Sequence, residues 1–170
     1  VHNNYGRIEK CAVVNTNITA DTGAVLGGMV SRNYGVIRDS YVEGGSLTSN
    51  STSSVGHAGF VGANETGGRI ENCWTSMTVS TQSEHAGGFV GLGYGGTIRN
   101  CIAKLGIYLD ARSTSDSSHM IYVSGIGSGN NNSLVDHCLV LGNIGVMGSG
   151  LSSGKQPVAF NGISACTAQD

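Results

Sequence analysis

Charge is scarce in this chain. Asp, Glu, Lys and Arg make up 12 % of its 170 residues, about half the usual share of ~25 %. Nine basic residues against eleven acidic ones give a formal net charge of -2. No basic patch suits a phosphate backbone, so no nucleic-acid partner is expected. Long hydrophobic runs are missing as well. None approaches the ~20 residues of a membrane span, and no membrane insertion is expected. There is one proline, and no heptad or long helical face. Disorder needs high charge and low hydrophobicity, whereas 39 % of this chain is hydrophobic. The 28 glycines lack a three-residue period, which excludes collagen. The length fits one domain, residues 1–170. The chain opens at Val1 with neither a Met nor a signal peptide, the pattern of a processed product or a segment of a larger protein.

What the chain does have is an internal repeat. Two signatures alternate along it. The first runs Gly6-Arg7-Ile8-Glu9-Lys10-Cys11, Gly35-Val36-Ile37-Arg38-Asp39-Ser40, Gly68-Arg69-Ile70-Glu71-Asn72-Cys73 and Gly96-Thr97-Ile98-Arg99-Asn100-Cys101. A degenerate fifth copy is Ser133-Leu134-Val135-Asp136-His137-Cys138. The second runs Gly27-Gly28-Met29-Val30, Ala58-Gly59-Phe60-Val61 and Gly87-Gly88-Phe89-Val90, with weaker copies at Ser124-Gly125-Ile126-Gly127 and Asn161-Gly162-Ile163-Ser164. The aliphatic centres of the first fall at 8, 37, 70, 98 and 135, and those of the second at 29, 60, 89, 126 and 163. The two sets interleave strictly.

Within each copy, short runs alternate with period two and are separated by Gly/Ser/Asn turns, the pattern of strands. A unit of about thirty residues with three short strands closes on itself, and stacking at ~4.8 Å satisfies each strand through its neighbours above and below. The expected fold is therefore all-β: a single-stranded parallel β-helix, or β-solenoid, of about five coils, right-handed by the crossover rule. Gly6, Gly35, Gly68 and Gly96 are expected to turn corners with φ > 0. Gly28, Gly59, Gly88 and Gly125 are expected to let backbone pass close.

Equivalent residues then stack. Ile8, Ile37, Ile70, Ile98 and Val135 form one buried column, and Met29, Phe60, Phe89, Ile126 and Ile163 another. Cys11, Ser40, Cys73, Cys101 and Cys138 form a third. A serine in register marks a small, weakly polar position, so buried structural thiols are favoured over a disulfide or a metal. Five cysteines cannot all pair internally, and Cys166 lies outside the column. The next residues are Ala12, Tyr41, Trp74, Ile102 and Leu139. They should face the other way, and an outward apolar row of this kind marks an interface. The competing reading is that the row is covered by a loop or lost at a bend.

The alternation of Gly-Gly-Phe-Val-Gly at 87–91 with Gly-Thr-Ile-Arg-Asn-Cys at 96–101 resembles the GLUG repeat family, and the coil from Ala58 to Cys73 is similar. The resemblance spans about residues 4–138 and is faint to 164. It implies an extracellular or cell-surface β-solenoid, since such repeats occur in large secreted or surface-attached proteins, adhesin-like ones among them. It brings no catalytic residues with it. Copies four and five depart by insertions after Leu109 and Leu141.

Several side chains are candidates for chemistry. Asp110, Arg112, Asp116 and His119 share the longest insertion, where two carboxylates could act on a glycosidic bond. The segment is Ser/Thr-rich and reads better as a solvated loop. His57 and His85 lie one position out of register and read as turn histidines ahead of a shared metal. Glu9, Arg38, Glu71, Arg99 and Asp136 nearly alternate in sign and should form a cross-coil ladder. Tyr5 and Tyr34 precede corner glycines, and Tyr94 lies near the same corner. With Asn4 and Asn33 they offer ring faces and amides to a sugar, against the plainer reading of corner packing.

The sequence thus carries no catalytic residue, cofactor or metal site that we would name. The leading expectation is a non-catalytic extracellular module, a stalk, spacer, adhesive or assembly surface of a larger protein. The alternatives are a glycan-binding module or a piece of a β-helix carbohydrate-active enzyme. Expected partners are other domains of the parent protein or further copies of the chain, joined through open solenoid ends, and glycans.

Overall fold

The computed structural model describes all residues except Thr22, Thr52 and the segments 111–120, 148–157, 162–163 and 166–170. Among the described residues there are strands and turns and no helix. The strand pairings are parallel, each joining a strand to its equivalent one repeat away. The chain is a β-solenoid, as the repeat implied.

Each turn passes through four faces. The first holds Asn3–Asn4, Val30–Asn33, Val61–Asn64, Val90–Tyr94, Gly127–Ser128 and Ser164–Ala165, with Asn130–Asn131 pairing beside them. The second holds Arg7–Glu9, Val36–Arg38, Arg69–Glu71, Thr97–Arg99 and Leu134–Asp136. The third is double: Ala12–Val14 and Asn17–Ala20, then Tyr41–Glu43 and Ser46–Ser49, then Trp74–Thr75 and Thr78–Thr81, then the unbroken Ile102–Asp110 and Leu139–Met147. The fourth holds Leu26–Gly27, Gly56–Ala58, His85–Gly87, Ile121–Ser124 and Val158–Asn161. Three turns are described almost without a break. The fourth and fifth keep the same faces on either side of 111–120 and 148–157.

The register is that of the repeat. Ile8, Ile37, Ile70, Ile98 and Val135 pair in one column, and Ile37, Ile70 and Ile98 are fully buried. Phe60 and Phe89 stack at 4.6 Å with Met29 and Ile126 in line, all four buried. Ile163 lies outside the described residues. Inward positions of the third face add Val42 and Ala103, then Leu47, Val79 and Ile107. Each fully buried large side chain contributes roughly 1.5–3 kcal/mol, so these ladders close the coil.

The corners are built differently from the sequence expectation. Gly6, Gly35, Gly68 and Gly96 are not in the left-handed region. At Gly35, Gly68 and Gly96 smallness serves close stacking instead, whereas Gly6 faces open space: a Cβ on Gly35 would run into the Gly6 carbonyl, and one on Gly96 would meet the Asn64 amide. Left-handed backbone falls one place earlier in the later turns, at Gly67, Gly95 and Asn132, and in all five turns at the residue before the cysteine column. Lys10, Asp39, Asn72, Asn100 and His137 all have φ between 50° and 54°. Asparagine and aspartate tolerate this conformation better than most residues, which gives the Asn-Cys pair of the repeat its physical meaning. Gly28 and Gly59 do serve close approach, each facing the carbonyl of its equivalent in the next turn.

Candidate functional site

The edge between the first and second faces carries the tyrosines. Tyr5 and Tyr34 stack with ring centroids 4.8 Å apart and planes within 12°. Tyr5 is 73 % exposed and Tyr34 36 %. Stacking along the solenoid axis turns their facing surfaces onto each other, so the outer face of Tyr5 and the ring edges meet solvent. Glu65 takes the place of a tyrosine in the third turn and pairs with Arg32. Tyr94, in the fourth turn, is therefore separate. It lines a shallow depression with Thr66, Gly95, Asn131 and Asn132. The structure brings Tyr5 and Tyr34 together and leaves Tyr94 apart.

Asn4 and Asn33, proposed from sequence to face a ligand beside these rings, point inward. Asn4 Nδ2 donates to Asn33 Oδ1 at 2.8 Å, and Asn33 Nδ2 donates to Asn64 Oδ1 at 2.9 Å. Asn33 and Asn64 are fully buried and Asn4 nearly so. A buried amide must be paired, and here each amide satisfies the next. The ladder stops in the fourth turn, where Gly93 is in register with Asn64, and Asn64 Nδ2 turns to the Gly68 carbonyl at 3.3 Å. In sequence the only sign of this ladder is an Asn recurring one place before the tyrosine position.

The outward row of the third face is as the strand pattern requires. Ala12, Tyr41, Trp74, Ile102 and Leu139 are in register. Tyr41 and Trp74 stack at 4.7 Å with planes within 3°. Lys104 Nζ sits 4.8 Å from the Trp74 ring centroid, a cation–π contact worth ~0.5–1 kcal/mol where exposed. Tyr41, Trp74 and Ile102 are half-exposed, and Leu139 is exposed. Leu134 and Leu141 add further exposed apolar surface in the fifth turn.

Immediately before each of these strands comes the residue of the third column. Ser40, Cys73 and Cys101 are buried, Cys138 is half-buried and Cys11 exposed, and the four cysteines are free thiols. Cys11 departs from the expected burial; its turn is packed by the second turn. Sγ of Cys73, Cys101 and Cys138 lies 3.1, 3.1 and 3.3 Å from the carbonyl oxygen two residues back. Hydrogen bonding with Cys101 holds the Cys138 thiol down, to about 7. Its two thiol neighbours push Cys101 up. Cys166 lies outside the described residues.

His57 is fully buried. Its Nε2 is 2.9 Å from the Ala24 carbonyl and its Nδ1 2.6 Å from Thr81 Oγ1, so Nε2 carries the proton and Nδ1 accepts the hydroxyl. Burial holds His57 and His85 below the ordinary imidazole pKa. His85 stacks on Tyr122 at 5.1 Å. Their strands pair His57 with Ala86, the one-place offset read from sequence. Among the described residues no group of three or more His, Cys, Asp or Glu side chains converges on a common point. The charged ladder joins Arg38 to Glu9 at 2.9 Å and Arg99 to Asp136 at 3.0 Å. Residues 112, 116 and 119 lie outside the described residues, and of Asp110 only the strand backbone is described.

Residues 82–105 match the family model of the GLUG motif. That segment starts at the end of the third face and runs through the fourth, first and second to the start of the next third face: one turn of the solenoid. It contains His85, Phe89, Gly96, Ile98, left-handed Asn100 and Cys101. Neither the curated proteins nor the solved structures compared with the chain gave a match.

Proposed function

Proceeding from a β-solenoid repeat module that carries a GLUG motif, we propose that the chain is a non-catalytic part of a larger secreted or cell-surface protein, a stalk, spacer or adhesive surface that works through its outer faces. One observation carries this reading. The row Tyr41, Trp74, Ile102 and Leu139 puts consecutive apolar side chains outward in register on a rigid face, and a contiguous apolar strip of this kind is an interaction surface. The partner is another domain of the parent protein or a second copy of the chain. The buried asparagines, thiols and His57 are all engaged within the stack and support packing.

The test is association. The chain, and the chain mixed with neighbouring domains of its parent protein, is followed by sedimentation velocity. The double substitution Trp74→Ala with Ile102→Ser should weaken any association at least tenfold with little change in the unfolding midpoint. Association that this double variant leaves intact removes the row as an interface. Turnover of a polysaccharide, lost on Asp110→Asn, overturns the non-catalytic reading.

A second reading is favoured by the exposed Tyr5–Tyr34 pair. It is a glycan-binding corner, in which a sugar ring lies on the open face of Tyr5. A glycan array identifies the ligand. Binding unchanged in both Tyr5→Ala and Tyr34→Ala rules the corner out.

A further inference from the structure

The thiol column has a geometry that packing alone does not use. Three cysteines, Cys73, Cys101 and Cys138, occupy consecutive turns, because the flanking residues are paired in register on both sides. Their sulfurs share one rotamer. Each lies 3.1–3.3 Å from the carbonyl oxygen two residues back and 3.8 Å from a carbonyl of the preceding turn, that of Ile37, Ile70 or Ile98. The sulfurs therefore repeat with the layer spacing of ~4.8 Å. A metal–thiolate bond is about 2.3 Å, so a linear sulfur–metal–sulfur unit spans roughly twice that and fits between adjacent turns. No third His, Cys, Asp or Glu ligand converges there among the described residues. This excludes tetrahedral zinc and leaves cations content with two soft ligands.

We propose that the Cys73–Cys101–Cys138 column is a binding site for a soft monovalent cation, copper(I) or its analogue silver(I), held as a linear bis-thiolate along the solenoid axis with Cys101 as the shared central ligand. Uptake of one ion, by Cys101 with Cys73 or Cys138, forms two sulfur–metal bonds and breaks two S–H bonds. Two protons go to water, no electron moves, and the unit carries one net negative charge. At the serine of the column a backbone donor faces the side chain: the Cys11 N–H donates to Ser40 Oγ at 3.1 Å. Cys138 is half-buried while Cys73 and Cys101 are buried, which makes it the point of entry. Exposed Cys11 is cut off from the column by Ser40.

The experiment uses the full reduced chain in chloride-free buffer without oxygen, titrated with silver(I), then with copper(I) against a chelator. Metal retained after desalting, protons released and near-ultraviolet sulfur-to-metal absorption are recorded. Wild type, Cys11→Ser and Cys166→Ser should retain metal equally. Cys101→Ser should lose at least a hundredfold in affinity together with the absorption band. Serine is already accommodated in the column at Ser40, so this variant is expected to fold, which circular dichroism checks. Ser40→Cys extends the column by one thiol and should raise the retained metal by one ion. The proposal fails if Cys101→Ser binds like wild type, if Cys11→Ser loses as much as Cys101→Ser, or if Ser40→Cys gains nothing.

Discussion

Removing the amide of Asn33 tests whether the buried ladder stabilises the stack. Asn33 accepts from Asn4 Nδ2 and donates to Asn64 Oδ1 and to the Gly35 carbonyl, the last at 3.2 Å. Asn33→Ala strips Asn64 Oδ1 of its donor in a fully buried place. Asn4 Nδ2 keeps only a weak contact with the Val36 carbonyl at 3.4 Å. Each buried group left unpaired costs ~1–3 kcal/mol, and the missing side chain adds a small void, so the loss should be about 2–4 kcal/mol. At roughly 2–4 °C per kcal/mol for a chain of this size, the midpoint should fall by about 5–15 °C. Urea unfolding followed by both tryptophan fluorescence and circular dichroism gives the free energy, provided the two probes coincide. The double variant Asn33→Ala with Asn64→Ala should cost less than the sum of the singles, because the second deletion removes a group already stranded. Additive singles, or a loss below ~0.5 kcal/mol for Asn33→Ala, would refute the idea that the amides pair as a buried series.

Other expectations follow from the corners and the buried imidazoles. Asn100→Gly should match or exceed wild-type stability while Asn100→Ala loses about 1–2 kcal/mol, since φ there is 53° and an L residue with a Cβ resists that region; thermal melts of the pair check it. Gly96→Ala should destabilise the chain severely, because the new methyl group meets the Asn64 amide, whereas Gly6→Ala should be nearly silent, with no atom within 4 Å of the added carbon. His57 and His85 are neutral in the fold with lowered pKa values, so the unfolded chain takes up protons first as the pH drops. Stability should be level above about 6.5 and fall below it, by up to ~1.4 kcal/mol per pH unit for each histidine. Urea midpoints measured from pH 7.5 to 5 should lose part of that slope in His57→Gln, and an unchanged slope removes His57 from the account.

The vertical columns were legible because stacking transcribes sequence spacing directly into space. Ile37, Ile70 and Ile98 recur at one place in the repeat, so one register fixes all three. The outward direction of Tyr41 and Trp74 followed from the alternation of a strand once their neighbours in the column were taken to point in. Asparagine was harder. Polarity alone places Asn4 and Asn33 at the surface, and nothing in a single residue says that an equivalent amide lies one layer away to satisfy it. The recurrence of Asn at 4, 33 and 64 was the signal, hidden because Gly93 breaks it in the fourth turn. The glycines misled for a related reason. A recurrent Gly signals either a left-handed backbone or a lack of room, and at 35, 68 and 96 it is room that counts. The left-handed glycines are their neighbours Gly67 and Gly95, and the left-handed position common to every turn carries a side chain, Asn72 or Asn100 among them, of a type common enough in turns to pass unnoticed.

The two inward series divide the molecule between them. Amides run from the first turn to the third and end against Gly93; paired thiols begin in the third, at Cys73, and run to the fifth. The third turn is where one series hands over to the other. Turns of this solenoid are therefore not interchangeable, for all their likeness. Excising the third would set Asn33 against a glycine and Ser40 against Cys101, whereas duplicating it would give each series a partner of its own kind. Growth of such a chain by gain of whole units is easier at that joint than loss, and the order of its units is written in the interior rather than on the surface.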